Sequence, residues 1–287
     1  MTDILSRKIW LTGFLVGALL SNASFSMAQE PQNTQARMPD FSFMLWNRGL
    51  GPHEPPPEGP GPVQNPPDLP FVFANNRSNY RGDISNPILQ PWAAERIVAQ
   101  GEKEDAGLEA GTAQQTCRPS GVPGIFQLND TLQIIQTPDL VIFLFARGHQ
   151  NRVVHLNAKH PNNLPHTWYG HSIGHYEGDA LVVDTIGLNA EPWVDRYGTP
   201  QTDKMHVVER YRLVPDPDGD DPRLELHFFV EDEGAFTMPW SAVTHYRPRA
   251  GFSGSLDEQI CQENNRALGP RIAPLVPRDA GYRYPFQ

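Results

Sequence analysis

The strongest constraint on the fold is a succession of short strand-like runs between residues 124 and 262. β-Branched and aromatic residues alternate with polar ones, and turn signals such as TPD and GHQN separate the runs. We count about ten strands, at GIFQL, TLQIIQT, LVIFLFA, RVVHLN, the two halves of 170–188, KMHVVERYRL, RLELHFFVE, WSAVTHYRP and DEQICQ. Because the links are mostly short and no helix intervenes, we predict an antiparallel up-and-down β-barrel of lipocalin or calycin type, whose closure removes exposed edges. A β-sandwich is the alternative.

The first 28 residues have the layout of a secretory signal peptide. Arg7 and Lys8 precede the apolar run 9–20, and a small-x-small site ends at Ala28. The run is shorter than the roughly 20 residues that span a bilayer, so we expect cleavage after Ala28 and no membrane span in the mature chain. The sequence therefore predicts a periplasmic or secreted protein.

The segments on either side of the barrel differ from it in composition. Residues 29–85 are predicted to form a largely extended tether, because 51–70 is nearly half proline and proline neither donates backbone hydrogen bonds nor continues a helix. Residues 86–116 are predicted to be helical, with one helix at 91–100 and a second at 103–110 left open. The barrel domain is placed at 117–265 and a C-terminal tail at 266–287.

The net charge limits the kinds of partner expected, and the cysteine count predicts a disulfide. The net charge is −10 and lysine and arginine do not cluster, which argues against nucleic acid or anionic membrane surfaces and leaves a small molecule as the expected partner. Oligomeric state is left open. The chain has two cysteines, Cys117 and Cys261, and an even count in an exported protein predicts a disulfide between them.

The stretch GHSIGHYEGDALVVDTIGL, residues 170–188, predicts a hairpin with a two-residue turn at Gly178-Asp179. That register places His171, His175 and Asp184 on one face, with Ser172 and Thr185 on the other. An imidazole and a carboxylate on one face can form an oriented base, so His171 is the candidate acid/base and Asp184 its orienting partner. The sequence leaves open which face lines the interior and which meets solvent.

Loop placement suggests further candidates. In a meander the loops 158–166 and 189–203 lie at the same rim, near His171, and we expect Asp195 and Arg196 to act catalytically there. Arg196 would suit a carboxylate or phenolate. The candidate ligand-binding residues are Trp168, Trp193, His166 and Glu209. The ordinary alternatives are a core aromatic for Trp168, a loop ion pair for Asp195 and Arg196, and a strand-edge salt bridge for Glu209.

No metal or cofactor is predicted. Six histidines lie between 149 and 175, but their spacing matches no metal motif, and His171 and His175 stand roughly 13 Å apart along a strand. The chain also has no G-x-S-x-G nucleophile elbow and no phosphate-binding glycine loop before a helix.

Several motifs together resemble a large family of exported bacterial hypothetical proteins. They are TCRPSGVPGIFQL, QIIQTPDLVIFLF, TWYGHSIGHYEGDALVVDTIGL, DKMHVVERYRL and CQENN, in this order from about residue 80 to 265. His171, Glu177, Asp179 and Asp184 fit the family's pattern, whereas His175 departs from it. The resemblance implies no established reaction.

The leading hypothesis is a cofactor-independent lyase, isomerase or hydrolase that acts on a small, partly apolar or aromatic molecule in a barrel cavity. The alternatives are a non-catalytic periplasmic carrier of a small molecule and a structural protein associated with the envelope.

Overall fold

The structure is a computed structural model that describes residues 38–49, 51–70, 81–106, 117–249 and 256. The predicted signal peptide, the C-terminal tail, the last strand near 257–262 and Cys261 lie outside the described residues. The disulfide from Cys117 therefore stays a prediction. In the described ranges, no helix has both the length and the apolar character needed to cross a bilayer.

The described strands form one closed barrel, which confirms the predicted fold class. The barrel closes at β1, which pairs with both β2 and β9. The nine strands are β1 (Trp46–Asn47), β2 (Thr131–Gln136), β3 (Leu140–Phe145), β4 (Gln150–Leu156), β5 (His171–Glu177), β6 (Ala180–Ile186), β7 (His206–Val214), β8 (Arg223–Glu231) and β9 (Trp240–Pro248).

One neighbouring pair breaks the expected antiparallel pattern. β4 and β5 are parallel, with Val154 opposite Ser172. The connection 157–170 is long enough to run from one end of the barrel to the other, as a parallel pair requires. The meander rule that put the loops 158–166 and 189–203 at one rim therefore fails, because the first loop begins at the opposite end of the barrel. The later part of the connection still reaches the second loop, since His166 and Thr167 contact Leu188.

The predicted hairpin register is confirmed. Ile173 lies opposite Asp184 and Glu177 opposite Ala180. Burial alternates along both strands, and Ser172 and Thr185 point into the barrel at 2% and 0% exposure. The face that carries His171 and Asp184 is therefore the outer one. A slip of one residue would have exchanged the two faces.

Side chains from both ends of the described chain fill the barrel. Inward positions of β7, β8 and β9 supply large side chains such as Tyr211 and Phe228 to the core, and β1 and the helix α1 (Pro91–Asp105) add Trp46, Ala93 and Ile97. The helix begins at Pro91, as predicted, but it passes through Gly101 without ending there. Residues 103–105 of the possible second helix continue this one, and residues 107–110 lie outside the described part.

The proline-rich segment is irregular but packed onto the barrel. β1 is only two residues long, and Glu54 continues its edge by pairing with Val243 of β9. His53 and Val63 are 1% and 3% exposed. Residues 51–70 therefore form a strap that covers part of the barrel rather than a free tether.

The run GIFQL is a 3₁₀ turn at Gly124–Gln127 instead of the predicted strand. Ile125 and Phe126 are buried, and the amide of Ile125 donates to the carbonyl of Gly121. A Cβ on Gly124 would lie 2.4 Å from the Trp193 carbonyl oxygen, so the turn packs closely on the loop 189–203. Burial of two apolar side chains favours this short turn over an isolated strand.

Candidate functional site

Polar side chains from five consecutive strands and one loop meet on the outer surface of the barrel. We call this group the histidine–carboxylate cluster. It consists of His155 on β4, His160 in the β4–β5 connection, His171 on β5, Asp184 on β6, His206 on β7 and Glu231 on β8. Each strand residue stands at an outward position of its strand, and the cluster lies near the end where β6 ends and β7 begins.

His160 connects the two residues that the hairpin register had brought onto one face. Its Nδ1 lies 2.8 Å from Nδ1 of His171, and its Nε2 lies 3.0 Å from Oδ1 of Asp184. Asp184 and His171 therefore act on each other through a third residue rather than by direct contact. The side chain of His160 is only 17% exposed, which limits competition from solvent.

The geometry determines which nitrogens carry protons when the rings of His160 and His171 are both neutral. A carboxylate only accepts, so Nε2 of His160 must donate to Asp184 and its Nδ1 must carry a lone pair. That lone pair accepts the Nδ1 proton of His171. The remaining nitrogen of His171, Nε2, then has a lone pair and makes no hydrogen bond within the described chain. The arrangement presents His171 as a base whose partner ring is oriented by a carboxylate.

Asp184 also contacts a second histidine. Nε2 of His206 lies 3.2 Å from Oδ2 of Asp184, an ion-pair distance without the angle of a good hydrogen bond, and Nδ1 of His206 lies 3.4 Å from Glu231. The Asp184 carboxylate raises the pKa of His206 above its ordinary value. In return, His206 and His160 hold the pKa of Asp184 below its ordinary value.

The pKa of His171 is shifted in the opposite direction to that of His206. Partial burial lowers the pKa of His171, and the nearby His160 and His155 rings lower it further. The His155 ring stacks on His171 with 5.3 Å between centroids and 10° between planes. His206, which contacts Asp184, therefore favours the charged form, whereas His171, which reaches Asp184 only through His160, favours the neutral form.

A groove of about 620 Å³ adjoins the cluster at His206. Phe236, Met238 and Pro239 provide an apolar wall, and Lys204 and Glu231 provide charges. Lys204 is paired with Glu233 at 2.6 Å. The groove is large enough for a small organic molecule that would reach His206 directly.

Asp195 and Arg196 lie away from this cluster. Asp195 is 6% exposed, and its carboxylate accepts hydrogen bonds from Thr199 Oγ1 at 2.6 Å and from the amides of Tyr197 and Thr199. Burial raises the pKa of Asp195 to about 6 despite these donors. The amide of Arg196 donates to Gln127 at 2.9 Å. Asp195 orders the loop 189–203, and the cluster draws no side chain from that loop.

Trp168 and Trp193 are both half-buried beside one turn. The Trp168 carbonyl accepts from the amide of Val122, and the Trp193 carbonyl packs against Gly124. His166 is exposed, and its Nδ1 contacts the Leu188 carbonyl at 3.0 Å. The predicted aromatic pair thus approaches the same segment, and the ring contacts of the histidine–carboxylate cluster are with other histidines.

Glu209 lies inside the barrel at 0% exposure, paired with Arg152. Nη1 and Nη2 of Arg152 each donate to it at 2.6 Å, and the Tyr211 hydroxyl donates at 2.8 Å. Arg152 also donates to Ser172 and Thr185. The sequence analysis gave a strand-edge salt bridge as the ordinary alternative for Glu209 and did not identify the partner. With every member buried and bonded, this network is a structural element of the core.

The sequence analysis did not connect His160, in the loop 158–166, or His206, in the run KMHVVERYRL, to Asp184. A signal for His206 existed, because β6 and β7 are neighbours and their register sets it diagonal to Asp184. His160 carried no such signal, since it lies in a connection whose path depends on the parallel pair.

In the described part of the chain, no set of three or more His, Cys, Asp or Glu side chains is arranged to hold a metal ion. Comparison with known proteins finds no protein-family model, no curated protein and no solved structure that matches this chain.

Proposed function

We propose that the chain is an acid–base catalyst, with His171 as the base and His206 as the acid of one site on the outer surface of the barrel. The observation that carries the proposal is the double use of Asp184, which contacts His160 on one oxygen and His206 on the other. Opposite pKa shifts on neighbouring groups are the usual mark of an acid and a base assigned by their environments.

The proton path follows from the contacts. Nε2 of His171 accepts a proton, and the positive charge is stabilised because His160 accepts from Nδ1 of His171 and is itself held by Asp184. His206, protonated beside the same carboxylate, donates a proton to the developing anion or leaving group. This pair serves a lyase, an isomerase or a hydrolase, and it needs no cofactor.

The adjoining groove supports a small substrate with an apolar or aromatic part, seated against Phe236 and Met238. The proposed site lies on the outer face of the barrel, whereas the sequence argument placed it in the barrel cavity. If the predicted signal peptide is cleaved, the reaction takes place outside the cytoplasm, and N-terminal sequencing of the mature protein would show an end at Gln29.

The test is a substrate screen with matched variants. The purified protein is incubated in D₂O with aromatic esters, enolisable ketones and β-hydroxy acids, and turnover or proton exchange is followed by NMR. His171→Asn and Asp184→Asn are expected to lower any rate by about 100-fold or more, the usual contribution of general acid–base catalysis. His175→Asn is the control, because His175 lies on the same strand face and, among the described residues, pairs with Glu177 at 2.8 Å.

Turnover that survives unchanged in both His171→Asn and Asp184→Asn would refute the assignment of this site. Turnover lost equally in His175→Asn would show that the effect belongs to the strand surface in general. Proton exchange lost in His171→Asn with ester hydrolysis retained would contradict a single base for both reactions.

A further inference from the structure

The middle of the proline-rich strap lies on the outside of the barrel, between two fixed ends. We call residues 54–60 the flap, and all but one of them are exposed. On one side of the flap, the Arg48 guanidinium donates to the Pro52 carbonyl at 2.8 Å, and His53 is 1% exposed. On the other side, Val63 is buried in the core. The flap can therefore move while the rest of the strap stays in place.

Backbone hydrogen bonds pair the flap with the edge of β9. Glu54 and Val243 exchange two of them, at 3.0 and 2.9 Å, and the Ser241 amide donates to the Pro60 carbonyl at 3.1 Å. The two-residue strand β1 pairs with the last two residues of β9. The flap thus takes the place of a neighbouring strand along an earlier part of β9, where a strand edge would otherwise present unpaired amides.

One side chain, His245 of β9, lies between the flap and the wall of the barrel. Its Nδ1 is 3.2 Å from a carboxylate oxygen of Glu54 in the flap, and its Nε2 is 3.2 Å from a carboxylate oxygen of Glu225 on β8. The side chains of His245 and Glu225 are 17% and 16% exposed, whereas that of Glu54 is 59% exposed. The ring therefore joins a solvated carboxylate to a mostly buried one.

Two carboxylates require two protons on the ring between them. An ionised carboxylate only accepts, so His245 donates to both Glu54 and Glu225 only when both of its nitrogens are protonated. A neutral ring instead turns a lone pair toward one of the two carboxylates. Leaving the buried Glu225 without its donor costs more than leaving the exposed Glu54, so the contact with the flap is the one that is lost.

Charges on the neighbouring strands keep Glu225 ionised. Arg212 on β7 lies 2.6 Å from it. Burial raises the pKa of Glu225, but hydrogen bonds from Arg212 and His245 outweigh it and hold the pKa below its ordinary value. His227, the next outward residue of β8, stands opposite Val243 and is a second titratable ring on this surface.

The nearby arginines have partners of their own. Arg247, two residues beyond the histidine on β9, pairs with Asp216 at 3.1 Å and with Asp218. Arg48 lies near Glu54, and its guanidinium donates to backbone carbonyls of the chain that leads into the flap. The proton on the imidazole is therefore what joins the flap carboxylate to the barrel wall.

We propose that the flap is a pH-sensitive closure of the β9 edge, held shut by protonated His245 and released when the ring loses its proton. Imidazole is the side chain that ordinarily changes charge between pH 5 and 8. Release exposes the amides of Ser241 and Val243, which an extended segment could then pair with. The inference does not rest on the acid–base function proposed above.

The test is amide hydrogen exchange of the purified chain, followed by NMR at about pH 5.5 and about pH 8, on either side of the ordinary titration of imidazole. Each rate is divided by the intrinsic chemical rate at the same pH, so that only protection by structure is compared. Protection of the Ser241 and Val243 amides is expected to fall about fivefold at the higher pH, the effect of losing one partly exposed ion pair. Amides of the β7–β8 ladder are expected to keep their protection and show that the barrel is intact.

Two variants remove the titration without removing the backbone pairing of the flap. His245→Gln has no ring proton to lose, and Glu54→Gln offers an amide that can donate to the lone pair of a neutral ring. In both, the protection of Ser241 and Val243 is expected to be the same at the two pH values. His175→Gln is the control, because His175 also pairs with a surface carboxylate, Glu177 at 2.8 Å, but lies on β5. It should keep the pH response of the wild type.

Equal protection of Ser241 and Val243 at both pH values in the wild type would overturn the proposal. A pH response that persists in His245→Gln would overturn it too, because another group would then control the flap. A loss of protection shared by the β7–β8 amides would show that the whole barrel opens instead of the flap. Each of these outcomes leaves the proposed catalytic site untouched.

Discussion

Replacing Glu209 with Gln should destabilise this protein more than any change to a surface ion pair. The substitution keeps the side-chain shape but removes the charge that compensates Arg152. Glu209 is 0% and Arg152 3% exposed, and two 2.6 Å hydrogen bonds join them. Removing one partner of such a buried pair typically costs about 3–5 kcal/mol, because the remaining charge stays desolvated.

Urea unfolding followed by tryptophan fluorescence measures this loss. With a slope of about 2 kcal/mol per molar urea, a loss of 3–5 kcal/mol moves the midpoint down by about 1.5–2.5 M. The double variant Arg152→Met with Glu209→Leu is expected to recover much of the loss, since replacing both charges removes the desolvation penalty. Glu177→Gln is the control, because Glu177 pairs with Arg210 on the exposed surface and should barely move the midpoint.

A midpoint for Glu209→Gln within about 0.3 M of the wild type, or equal to that of Glu177→Gln, would refute the reasoning. Either result would mean that Arg152 finds solvent or another partner when Glu209 is neutral, and that the barrel interior is more accessible than the structure indicates. A double variant no more stable than Glu209→Gln would show that packing, not charge, dominates at this position.

Two further predictions concern the outer cluster and the hairpin. The pKa of Asp184 is lowered from 3.8, so the stability that Asp184 contributes is lost as pH falls through its pKa in the folded protein. The pKa of His206 is raised from 6.5, so the stability that His206 contributes is lost as pH rises through its pKa in the folded protein. Thermal midpoints of the wild type and Asp184→Asn should therefore differ most between about pH 4 and 6.5, where Asp184 is ionised and His206 is charged. A difference that does not vary with pH would contradict this. Gly170→Ala should lower the thermal midpoint more than Gly178→Ala, although both residues have φ +62°. A Cβ on Gly170 would lie 2.4 Å from the Ile186 carbonyl oxygen, whereas a Cβ on Gly178 would meet nothing within 4 Å. Equal losses would show that backbone strain alone matters.

The local sequence pattern was sufficient to predict much of the barrel. Alternation of period two located most of the strands between 131 and 248, and the Gly178-Asp179 turn determined the pairing of β5 with β6 residue by residue. These features follow from interactions between residues that are near in sequence. The same reasoning placed His171 and Asp184 on one face, which was necessary for the site but did not assign the face to the outside.

Tertiary structure decided the features that depend on distant residues. The parallel pairing of β4 with β5 comes from the path of the connection 157–170, and that path brings His160 between His171 and Asp184. The Arg152–Glu209 pair, separated by 57 positions, forms only when the barrel closes around it. Burial of the proline-rich strap against β9 likewise required a barrel whose first strand is only two residues long.

One physical reason separates the features that the sequence determines from those that only the folded chain decides. Strand periodicity and turn type are set by backbone geometry within a few residues, so the amino-acid sequence alone determined the hairpin, its register and the strand-rich barrel class. The choice of inner and outer face depends on which set of side chains, Ser172 and Thr185 or His171 and Asp184, finds partners when the chain is compact. Arg152 supplies those partners on the inside, while His160 and His206 supply them on the outside, and only the folded chain brings these residues together.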